Sequence, residues 1–124
     1  KTGCDWIGHF DLVAKFNQQK PCFDEESPRY LKHALEVLEY LVKQGMCFEV
    51  NTGAITRGYR TVPYPIQTLL RRLKELGGEL ILNSDAHHVS HLLGSFQETE
   101  NIVKEIGFTH VNVWSKDGLQ AVGL

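Results

Sequence analysis

Two short stretches of this chain combine residue types that bind divalent cations. Ile7-Gly8-His9-Phe10-Asp11 sets an imidazole and a carboxylate two residues apart, and Asn83-Ser84-Asp85-Ala86-His87 repeats the pair in the opposite order. A neutral imidazole on a rigid strand end makes a good metal ligand, and a nearby carboxylate can orient its second ring nitrogen or bind the ion itself. In extended backbone, residues two apart point the same way, so Asp85 and His87 can converge on one ion. A plainer reading stands beside each pair. His9 can be a core or capping histidine with Asp11 as the N-cap of the next segment, and Asp85 can form an Asx-turn with His87 on the surface.

Other residues extend the set. Glu49 sits in an otherwise apolar strand, where a buried carboxylate must be paired or coordinated; it can ligate metal, hold an imidazole or pair with Arg57. Lys15, Arg57 and Arg60 are candidate phosphate contacts, because guanidinium groups grip a tetrahedral oxyanion with paired hydrogen bonds. Solvation at the surface is the alternative for all three. His88 and His91 enlarge the histidine cluster, and His91 is a candidate acid or phosphate contact; His33 and His110 read as structural. The chain has no Walker-type loop, nucleophile elbow or sensibly spaced Cys-His pair, so a metal-activated hydroxide is the most economical nucleophile.

The elements that must position these groups alternate. Cys4 to Phe10 reads as an apolar run forming a buried strand that ends at His9, Asp11 to Lys20 as a short helix or irregular turn, and the segment Ser27 to Gly45 as an amphipathic helix, with Ser27 as its cap, Pro28 in its first turn and Gly45 beyond its last. Met46 to Asn51 is a second strand, followed by a polar loop to Tyr64. Pro65 opens a helix that ends at Gly77-Gly78, Glu79 to Asn83 is a third strand, Ser95 to Ile106 a third helix, and Thr109 to Trp114 a last strand. Apolar strands separated by helices predict an α/β fold with parallel strands and flanking helices, either a small open sheet or half of a closed barrel. Both place ligands at the carboxyl ends of the strands.

The 124 residues suffice for one small domain, and 42% hydrophobic with 23% charged residues is ordinary globular usage. A net charge of -2 argues against nucleic acid as a partner. Three irregularly spaced cysteines, with no membrane span or signal peptide, fit a reducing cytoplasmic setting. The opening Lys1-Thr2-Gly3-Cys4-Asp5 lacks an initiator Met and reaches a strand almost at once, as if upstream chain had been removed.

Taken together, these segments resemble the PHP (polymerase and histidinol phosphatase) superfamily, in its histidinol-phosphatase-like branch. Gly8-His9-Phe10-Asp11-Leu12-Val13-Ala14-Lys15-Phe16 looks like a strand-end motif whose His binds metal. Glu49-Val50-Asn51-Thr52-Gly53 looks like the strand leading to a phosphate-contacting Arg, here Arg57, and Ser84-Asp85-Ala86-His87 looks like the last metal motif, in which Asp and His both coordinate. The resemblance implies the C-terminal half of a (β/α)₇ barrel, with the N-terminal metal-binding strands absent from this chain. It also implies a cluster of two or three Zn, Fe or Mn ions, with His9, Asp85 and His87 as ligands.

The implied reaction is hydrolysis of L-histidinol phosphate to L-histidinol and phosphate in histidine biosynthesis, with Lys15 and Arg57 holding the phosphate and His91 assisting the leaving alkoxide. Two rivals stand beside it. One is a phosphoesterase of the same family acting on another small ester or a nucleic acid end. The other is a catalytically incomplete domain that binds metal or packs against a partner, such as the missing N-terminal segment or a second copy.

Overall fold

The computed structural model describes residues 3–124; Lys1 and Thr2, part of the opening read as a truncated start, lie outside the described residues. Strands β1 (Trp6–Ile7), β2 (Cys47–Asn51), β3 (Glu79–Asn83) and β4 (His110–Ser115) run parallel in strict chain order, and β5 (Gly118–Gly123) pairs antiparallel with β4. Between them lie helices α1 (Pro28–Lys43), α2 (Gly53–Thr56), α3 (Gln67–Glu75) and α4 (Phe96–Ile106). The molecule is thus a mixed α/β structure on a five-stranded sheet. Among the described residues no helix is long and apolar enough to cross a membrane.

Helices α1, α3 and α4 all cover one face. Leu38, Leu69, Leu70, Leu73 and Val103 form a single buried cluster with Phe48, Val50, Leu80 and Val111 of the strands. Each such side chain contributes about 1.5–3 kcal/mol by leaving water. The strands alternate more than their apolar composition suggests. While Phe48 and Val50 face the helices, the register puts Cys47, Glu49 and Asn51 beside Glu79, Ile81 and Asn83 on the other face, with Asn112 opposite Ile81. Across this polar face the rings of Trp6 and Trp114 come within 5.6 Å. Their strands are separated by two others, roughly 14 Å on a flat sheet, so the two rings lean toward each other across the uncovered face.

Several boundaries differ from the sequence reading. The first strand is only Trp6–Ile7, because His9 and Asp11 take left-handed backbone at φ 54° and 72° and turn the chain away. Asp11 therefore does not cap a helix with its side chain; a 3₁₀ turn, Leu12–Ala14, comes after it. Helix α3 begins at Gln67 rather than Pro65. The loop after β2 contains α2, and the chain ends in a hairpin whose tip, Lys116-Asp117-Gly118, carries the Asp-Gly signal of a tight turn.

Asp11 joins three parts of the fold. Its carboxylate accepts a hydrogen bond from the Tyr30 hydroxyl on α1 and another, 3.1 Å long, from the Ile66 backbone N–H at the start of α3. Burial lifts its carboxyl pKa to about 6, opposed by the Ile66 hydrogen bond and helped by the charge of Glu25. A carboxyl raised in the folded state stabilises fully below its ordinary 3.8, and that contribution is lost as pH rises through about 6. In Asp11→Asn this component disappears. Urea unfolding at pH 4.5, 5.5 and 6.5 should show wild-type stability falling relative to the variant across that interval, and parallel curves would contradict it.

Candidate functional site

The carboxyl ends of β1, β2 and β3 converge on one side of the sheet, and a buried carboxylate fixes their spacing. Glu49, 5% exposed, accepts hydrogen bonds from the His9 backbone N–H (2.7 Å), Asn51 Nδ2 (3.2 Å) and Asn83 Nδ2 (3.0 Å). Its Oε2 also lies 3.7 Å from His9 Nδ1. Of the roles open to Glu49, holding the His9 segment is the one its contacts describe. Arg57 goes elsewhere.

Asp85 is the centre of the cluster. Its Oδ2 accepts from Arg57 Nη2 at 2.8 Å and lies 3.6 Å from His9 Nε2, while its Oδ1 lies 3.3 Å from His87 Nε2. Arg57 Nη1 also donates to the Asp85 carbonyl at 2.7 Å. His9, Asp85 and His87 therefore meet, although not as extended backbone predicts. Asp85 is left-handed, at φ 48°, so the bend after β3 rather than strand alternation turns its carboxylate toward His87. Burial opposes ionisation of Asp85, but the hydrogen bond and charge of Arg57, with help from His87, outweigh it and hold the carboxyl below its ordinary value.

Gly53 makes the Arg57 contact possible. A Cβ there would lie 2.7 Å from Arg57 Nη2 and 2.8 Å from the Ser84 carbonyl oxygen, so only a bare α-carbon lets the guanidinium lie across α2 onto Asp85. The loop after β3 is fastened to the same helix: Thr52 Oγ1 donates to the Gly94 carbonyl at 2.6 Å. Tyr64, the last residue of the polar loop that the sequence predicts after β2, is 1% exposed, with its ring 6.2 Å from that of His9.

The other expected contacts lie differently. Arg60 is 5% exposed, and its guanidinium engages Glu25 (3.0 and 2.8 Å) and the Ala14 carbonyl, so it braces the 14–25 segment instead of presenting an open phosphate-binding face. Lys15 Nζ lies over the Phe16 and Tyr59 rings, 5.2 and 5.5 Å from their centroids. The His91 ring lies 5.8 Å from that of His88, tilted 59° to it, and is not among the side chains joined to Asp85. Its Nδ1 is buried without a hydrogen-bond partner among the described residues.

The donor set suits a divalent ion in kind more than in number. Ligand bonds of about 2.1 Å place neighbouring donors roughly 3.4 Å apart around a tetrahedral ion, which the two imidazole–Asp85 separations approach. Among the described residues, however, no group of three or more His, Cys, Asp or Glu side chains closes tightly enough to hold an ion. His9 and His87 address different oxygens of Asp85.

No family model matches the chain. It is 31% identical over 110 residues to a probable histidinol-phosphatase of Schizosaccharomyces pombe, an alignment covering 83% of this chain and 34% of that protein. A probable phosphatase of Yersinia enterocolitica is 26% identical over 82 residues, covering 66% and 33% of the two chains. A probable phosphatase of Shewanella pealeana is 23% identical over 105 residues, covering 85% and 38%. The chain thus spans about a third of the length of the curated relatives it matches.

The Gly53 geometry yields a direct test. Gly53→Ala should displace Arg57 and cost about 1–3 kcal/mol of stability through overpacking. The Asp85 carboxyl, followed by carbon NMR, should titrate closer to its ordinary 3.8. Because a depressed carboxyl stabilises above its unfolded pKa and loses that contribution as pH falls through the folded one, the variant should also lose less stability on acidification. An unchanged Asp85 titration would mean that Gly53 does not govern the pair.

Proposed function

We propose that this chain is the C-terminal portion of a PHP-type metal-dependent phosphomonoester hydrolase, with L-histidinol phosphate as substrate. The observation that carries the reading is the meeting of His9, Asp85 and His87 around one carboxylate, with Arg57 beside them, where parallel strands end. The strictly sequential strand order, helices on a single face and the approach of Trp6 and Trp114 across the other face favour an arc of a barrel over a doubly wound sheet. Relatives named as probable phosphatases, one of them a histidinol-phosphatase, support the reaction class.

His9, Asp85 and His87 would hold divalent ions of the Zn, Fe or Mn kind. When bound, such ions supply positive charge for phosphoryl oxygens and make water more acidic. Arg57, whose remaining N–H groups are not engaged by Asp85, serves to orient the phosphate. A second reading, a domain that binds metal or packs against a partner without turnover, draws on the short donor set. The tests are metal content by mass spectrometry and phosphate release from L-histidinol phosphate and a panel of sugar and nucleotide monoesters. Metal-dependent release should fall about 100-fold or more in Asp85→Asn and His87→Ala. Faster turnover of another ester would replace the substrate, and bound metal without turnover of any ester would replace the hydrolase reading with the second one.

A further inference from the structure

Tyr64 is a large buried side chain with an unexplained end. Its hydroxyl is buried and has no hydrogen-bond partner among the described residues, and a buried donor left unpaired is destabilising. The surroundings are far from apolar. The ring stands 6.2 Å from that of His9, and the charges of Asp85, Arg57 and Glu49 all act on the phenol. Burial, then Asp85, pushes its pKa up to about 12, so the proton stays on oxygen at neutral pH and the group is a donor.

The carboxylates whose charges act on it already have other partners. Glu49 takes His9, Asn51 and Asn83, while Asp85 takes Arg57 and stands against His87. A donor surrounded by engaged acceptors suits an acceptor that arrives from outside. Tyr64 lies on the short stretch between α2 and α3, and Asn51 N–H donates to its carbonyl at 2.9 Å, which fixes the residue against the end of β2.

We propose that Tyr64 is a catalytic residue whose hydroxyl donates a hydrogen bond to a non-bridging oxygen of the bound phosphoryl group, alongside Arg57. This rests on the phosphatase reading. A neutral donor there would stabilise the oxyanion without adding charge, an effect that grows as negative charge develops on phosphorus-bound oxygen.

The test uses the whole chain supplied with Mn²⁺ and titrated with inorganic phosphate. Tyr64→Phe keeps the ring and its packing; it should retain metal content while phosphate affinity falls about 10-fold and any turnover falls mainly in kcat, about 100-fold. Equal phosphate affinity and kcat in the two proteins overturn the role of Tyr64 and leave the phosphatase reading intact. Absence of phosphate binding and turnover in wild type overturns both. Should Tyr64→Phe fail to fold, wild-type protein labelled with 3-fluorotyrosine decides. The Tyr64 fluorine resonance, assigned by Phe replacements at Tyr30, Tyr40 and Tyr59, should move on addition of phosphate, and a stationary resonance overturns the proposal.

Discussion

Glu49 stands in the middle of β2 with both carboxylate oxygens occupied by donors from three places: the turn after β1, its own strand and the end of β3. Burying an unpaired carboxylate would cost several kcal/mol, whereas hydrogen bonds to a charged group each return about 1.5–3 kcal/mol. The buried charge is therefore tolerable only while His9, Asn51 and Asn83 stay in register. That requirement sets the spacing of the strand ends, and with it the distance from His9 to Asp85. The site depends on this polar joint more than on any apolar contact.

The same division of labour runs along the polar face. At its amino end Glu79 Oε2 accepts from Asn112 Nδ2 at 2.8 Å and lies 2.9 Å from His110 Nε2. Burial raises the pKa of Glu79, and these partners more than reverse it, leaving the carboxyl below its ordinary value. At this end the carboxylate, amide and imidazole are matched to one another. At the carboxyl end the match is incomplete: Tyr64 lacks an acceptor among the described residues, and Arg57 has N–H groups not committed to Asp85. Helices covering only one face leave the other to side chains of the strands, and so chemistry and stability share a surface and separate along its length.

Much of the frame was legible because it rests on local chemistry. Pro28 at the first turn, Gly45 at φ 72° past the last, and the apolar period between them mark α1 as the structure has it. Gly107 ends α4 in the same way. The hairpin β4–β5 lies beyond the last strand predicted from the sequence, although Asp117-Gly118 at its tip is a local turn signal. Less visible was which face each strand residue takes, since Cys47 and Ile81 look apolar yet share the polar face. At the site, the clustering of His9, Asp85 and His87 was readable from residue type and position. Arg60 was not, because a loop arginine shows nothing of a Glu25 that lies far away in sequence and close in space.

His9 and Asp85 both adopt left-handed φ, a region that His and Asp tolerate better than most side chains but still disfavour. Period-two reasoning brings Asp85 and His87 together for a conformation the chain does not use. The actual contact arises because the bend at Asp85 lets Arg57 grasp its carbonyl and carboxylate together, through a gap that only Gly53 leaves open. Strain at one residue is thus offset by a charged, two-point grip from a neighbouring helix. A spacing rule can nominate such a pair, but the geometry that joins it comes from a contact between segments far apart in the chain.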